Sequence, residues 1–151
     1  MGSHGGYVSE ILLVNKTADQ NLINDASLND DPDLTIPIAA GENMFVEFFV
    51  HYQALAGGIR ASVNGPAAAT HLHYTVKIAT GVGLDTSNVE TVFDQPTVKA
   101  GATQGFITIT LGVHNGVNAG NIVFRWAQNG ADANNTTVHE DSYVRAMRLS
   151  P

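Results

Sequence analysis

The sequence predicts an all-β fold: a two-sheet sandwich or jelly roll of about eight to nine strands. Three observations carry this. Apolar residues recur with period two in short segments, the alternation of half-buried strands. Clusters of Gly, Asn, Asp and Pro punctuate those segments at short intervals. No segment of helix length carries an apolar stripe of period 3.6.

The strands follow in order. Ser9–Val14 comes first, then Leu34–Ile38 and Met44–Tyr52. Ile59–Val63, Leu72–Ala79 and a short Val89–Val92 occupy the middle. Phe106–Val113, Asn121–Gln128 and Ser142–Leu149 complete the series. Turn signals separate them: NDDPD at Asn29–Asp33, AAGEN at Ala39–Asn43, AGG at Ala56–Gly58, NGP at Asn64–Pro66 and HNG at His114–Gly116. Asn-Gly pairs favour tight turns with positive φ. NDDPD reads as a solvated turn, because three close carboxylates without glycine spacing or a bidentate Glu make no calcium loop. GVGLD at Gly81–Asp85 and AGATQG at Ala100–Gly105 read as loops.

Alternation also assigns a core. Val46, Phe48 and Val50 share one face of their strand; Ile107, Ile109 and Leu111 share one face of theirs. Phe124 and Trp126 face the same way, with Arg125 opposite. The stretch FVEFFVHY, Phe45–Tyr52, then poses a problem. Its second face carries Phe45, Glu47, Phe49 and His51. Two phenylalanines on the far side of a half-buried strand call for a cover, and a partner subunit supplies one. Glu47 between them needs a cation, from Arg125 or Arg145, and an inter-subunit ion pair answers that need. Tyr143 and Arg145, on a final strand that mixes apolar and basic character, suit the same interface.

Bulk composition narrows the function. The 151 residues make one domain. A chain of this length buries ~68–70% of its unfolded surface, so it needs no disulfide or metal staple. Residues 1–6, MGSHGG, read as a flexible arm or tag remnant, and residues 7–151 as a single jelly-roll domain. The net charge of −7 and the scattered Lys and Arg disfavour nucleic acid. No apolar run approaches membrane-spanning length, and no leader pattern opens the chain, so no membrane partner is expected. The absence of cysteine removes disulfides, thiol catalysis and zinc–thiolate sites together.

Catalytic and cofactor motifs are not apparent. No G-x-S-x-G elbow surrounds any serine, and Gly81–Asp85 lacks the third glycine of a dinucleotide loop. The expectation is no enzyme, no catalytic residue, no cofactor and no metal. His71-x-His73 puts two imidazoles on one strand face, and a third ligand would have to come from His51, His139, Asp85 or a neighbouring copy. Two ligands are not a site, and a polar strand start before Tyr74 explains the pair.

Two longer stretches carry a resemblance. They are SLNDDPDLTIPIAAGENMFVEFFV, Ser27–Val50, and GVHNGVNAGNIVFRWAQNGADANNTTVHEDSYVRAMRL, Gly112–Leu149. DPDL followed by AAGE, then WAQN, TTV and SY, resembles a small domain of tailed-bacteriophage structural proteins. The resemblance implies a jelly roll similar in shape to the trimeric tumour-necrosis-factor and C1q-like domains. It implies a homotrimeric head decoration (auxiliary capsid) protein, bound to the major capsid protein shell on the virion exterior and assembled in the host cytoplasm. The alternative is a tail or head fibre module that contacts host surface glycan through loops such as Ala131–Glu140 or Asn64–His73. Where relatives place Trp after AAGE, this chain has Asn43-Met44-Phe45. The resemblance transfers no catalytic residue.

Overall fold

The computed structural model describes residues 8–80 and 86–149. The expected arm at residues 1–6 and the expected loop at 81–85 lie outside them. The described residues form strands and no helix. In chain order these are β1 (Val8–Asn15), β2 (Gln20–Leu22), β3 (Asn29–Ile38), β4 (Asn43–Ala54), β5 (Ile59–Asn64) and β6 (His71–Thr80). They continue with β7 (Thr86–Glu90), β8 (Thr97–Lys99), β9 (Thr103–His114), β10 (Gly120–Ala127), β11 (Thr136–Val138) and β12 (Tyr143–Leu149).

The antiparallel partners are nested along the chain. β1 pairs β12, β3 pairs β10, β4 pairs β9 and β5 pairs β8. Such nesting is one long hairpin. Rolled up, it brings β12 onto β4 and β10 onto β5. The outcome is a jelly-roll sandwich with β1-β12-β4-β9-β6-β7 in the large sheet and β3-β10-β5-β8 in the small one. β11 extends the large sheet from β4, and β2 pairs with β11.

Alternation in β4 sends Met44, Val46, Phe48, Val50 and Tyr52 into the core, all essentially inaccessible. Ile107, Ile109 and Leu111 of β9 face them from the same sheet, and Phe124 and Trp126 of β10 face them from the other. Phe48 and Phe124 meet across the sandwich at 6.1 Å between ring centroids. Buried phenols need an outlet for their hydroxyls. The Tyr74 hydroxyl donates to the Val92 carbonyl at 2.9 Å, and the Tyr52 hydroxyl lies 3.3 Å from Thr103 Oγ1.

Two sequence expectations are corrected. NDDPD is not a solvated turn. It lies inside β3, and Asp31 is buried. The register explains both readings. Thr35 pairs Val123 and Asp30 pairs Arg125, so Asp31–Leu34 bulge opposite Phe124 alone. Asp31 Oδ1 accepts hydrogen bonds from the Asp33 and Leu34 N–H groups, both at 3.0 Å, in place of the lost ladder bonds. Its Oδ2 meets the buried Lys16 Nζ at 2.8 Å. The turn chemistry is real but is set into a strand.

The second correction concerns Ala131–Glu140, expected to be a contact loop. Thr136–Val138 form β11 and are buried between β2 and β4. Gln128, of the WAQN motif, holds the remainder from inside. Its Oε1 accepts from the Asp25 and Asp132 N–H groups, and its Nε2 donates to the Asn134 carbonyl at 2.7 Å.

Candidate functional site

Strand register lays out the outer face of the large sheet in rows. Ile11, Met147, Phe45, Gly112 and His73 form one row. Leu13, Arg145, Glu47, Thr110, Thr75 and Val89 form the next. Asn15, Tyr143, Phe49, Thr108 and Lys77 follow, then His51, Phe106 and Ala79. The small sheet differs in character. Its outer positions are largely polar, among them Thr35, Asn121, Arg125, Ser62 and Arg60.

The aromatic groups on the large-sheet face pack on one another. Phe49 stacks on Tyr143 at 5.4 Å and tilts against Phe106 at 4.8 Å. His51 continues the line, 5.1 Å from Phe106 and 4.5 Å from His139. Phe45 and Phe49 are therefore half-buried within one chain, not bare as the alternation of β4 alone implies. Greater exposure falls on residues the sequence reading did not nominate. Ile11 is 65% exposed, Leu13 62% and Phe106 42%. A signal for the first two exists, because Ile11 and Leu13 alternate with Leu12 and Val14, leaving β1 apolar on both faces.

The expected inter-subunit ion pair is corrected too. Glu47 is paired within its own chain, to Arg145 directly opposite on β12. The Arg145 Nε donates to Glu47 Oε2 at 2.8 Å, and its Nη2 makes a second bond to the same oxygen. The adjacent carboxylate holds the Arg145 guanidinium above its ordinary pKa. Arg125 lies on the other sheet, where it bridges Asp30 and Asp94, each at 2.7 Å. The acid at the centre of this face is thus already neutralised, and threonines fill the space beside it.

The candidate metal ligands separate into two places. His51 pairs with Asp141 at 3.0 Å and His139 with Asp19 at 3.2 Å, at one end of the face. His71 and His73 lie towards the other end of β6; His51 shares its row with Ala79, eight residues further along that strand. At ~3.3 Å per residue, neither His51 nor His139 reaches them. Asp85 lies outside the described residues. The histidine that does stand beside them is His114, directly opposite His71. In the sequence it falls in the HNG turn signal. As the side chains stand, no three His, Cys, Asp or Glu among the described residues converge to hold an ion.

No protein-family model matches the chain, and no curated protein matches it. Among solved structures, the chain is similar to one titled "Structure of infectious bursal disease virus Gx strain" at 8% identity and a TM-score of 0.25. The match covers 93% of this chain and 40% of that one, so the chain spans well under half the length of the protein it matches.

Proposed function

We propose that the chain is a viral structural protein without enzymatic activity: a homotrimeric decoration protein on the outer surface of a bacteriophage head. Three copies turn their large-sheet faces towards a common axis. The observation that carries this is the apolar outer face of that sheet, with Ile11, Leu13 and Phe106 exposed beside half-buried Phe45, Phe49 and Tyr143. A jelly roll already has its core between the sheets, so a second apolar face needs a cover. Fully burying one such side chain contributes ~1.5–3 kcal/mol. Several of them offset an association cost of ~4–15 kcal/mol. Likeness of the two long sequence stretches to phage structural domains supports the choice of a viral shell as partner.

Decoration then works by avidity. Three copies of one weak contact bind the shell together, and the combined affinity exceeds that of any single contact. The test is co-sedimentation with expanded heads that lack their own decoration protein, beside an adsorption control on host cells. Capsid binding with raised heat resistance supports decoration. Attachment to cells, with none to heads, overturns it in favour of a fibre module that binds glycan.

A further inference from the structure

We infer that His71, His73 and His114 form a binding site for a first-row transition-metal dication, zinc above all, on the outer face of the large sheet. Three of the six histidines of the chain line one depression here. His71 and His73 are two apart on β6, so they project from the same face. His114 lies opposite His71 on β9, and the two rings are near-parallel with centroids 6.0 Å apart. One ion, bonded ~2.0–2.1 Å from a nitrogen of each imidazole, fits between rings at that spacing. The imidazoles have to turn about χ2 to aim their nitrogens inward, and all three are exposed and free to do so.

Two further features point to an occupant. Gly112 lies opposite His73, and a Cβ built there meets nothing within 4 Å. The sheet surface beside the three imidazoles is therefore open, with room for an ion and a fourth ligand. Asn43 lies opposite His114 on the other flank, lining the same depression. Its Oδ1 is buried and accepts no hydrogen bond. Metal-bound histidines donate their second ring N–H to such an acceptor, which fixes tautomer and orientation. Imidazole ligands suit zinc, copper and nickel. Three of them leave a tetrahedral ion one position for water or an external anion. The ion would clip β6 to β9, and the site requires only one chain.

Isothermal titration of the full chain with zinc chloride tests this, beside cobalt(II) absorption as a readout of coordination geometry. The expected result is one ion per chain and a tetrahedral cobalt spectrum. His73→Ala and His114→Ala should each weaken binding at least about tenfold, as should Asn43→Ala, which removes the orienting acceptor. His4→Gln and His51→Gln should leave it unchanged. Zinc should also raise the melting temperature of the wild type and not of the His73→Ala/His114→Ala double variant. His73 and His114 are exposed, so circular dichroism of their variants should report an intact fold. No binding heat overturns the inference, and so does a heat that survives the double variant.

Discussion

Replacing Ile11 and Leu13 with serine should dissolve the assembly without weakening the fold. Both side chains are close to two-thirds exposed in one chain. Their burial in an assembly therefore recovers about two-thirds of the ~1.5–3 kcal/mol per side chain, or about 2–4 kcal/mol per subunit for the pair. At 1.4 kcal/mol per decade, losing them weakens each subunit's contact about 30- to 700-fold. Folding should change little, since surface substitutions of this kind cost within about 0.5 kcal/mol. Sedimentation velocity over a dilution series gives the assembly constant, and urea unfolding of the dissociated chain gives the fold stability. Equal assembly of variant and wild type would refute the assignment of this face. Collapse of the urea midpoint would show that the pair holds the chain itself together.

Three other outcomes follow from the packing and charge described above. Phe48→Ala opens a cavity at the contact with Phe124 and should cost about 3–5 kcal/mol in urea unfolding. Asp31→Ala leaves the buried Lys16 cation only Asp33 at 3.7 Å and Gln20 at 3.2 Å, and should cost up to about 3–5 kcal/mol, whereas joint replacement by Met at Lys16 and Leu at Asp31 should recover much of it; a single-variant loss below about 1 kcal/mol contradicts the buried pair. Stability should fall on the acid side. The Asp25, Asp33 and Asp19 carboxyls are held below the ordinary value of 3.8, first by the N–H groups of Ser27, Thr17 and Glu140. A depressed folded pKa means that the unfolded chain binds more protons, so their contribution is complete above about pH 4 and is lost as pH drops through the folded values. Asp25→Asn should flatten that limb in a pH series of thermal melts, and an unchanged slope would contradict the assignment.

Much of the fold was legible because strand alternation is a local signal. FVEFFVHY places Val46, Phe48 and Val50 inward, and the same logic buries Ile107, Ile109, Leu111, Phe124 and Trp126. The misses are non-local. Asp31 is a turn former whose partner, Lys16, lies fifteen residues away, and only tertiary structure brings the two together. β11 is a three-residue strand that owes its existence to β2 and β4 on either side. At the candidate site, alternation in β4 placed Phe45, Glu47, Phe49 and His51 on the outer face of the large sheet. It could not reveal that Tyr143 and Phe106 half-cover Phe49, because that depends on which strands lie alongside. The sequence offers Glu47 either Arg125 or Arg145, and cross-strand register selects Arg145 and makes the pair internal to one chain. His114 ends β9 where the sequence signals a turn, so only the ladder with β6 reveals its neighbour His71.

Multi-angle light scattering of the wild-type protein at about micromolar concentration tests the subunit-interface claim most directly, since a contact worth ~8 kcal/mol is half-saturated there. A covered large-sheet face predicts the mass of three chains. The mass of a single chain, held constant as concentration rises, would contradict it.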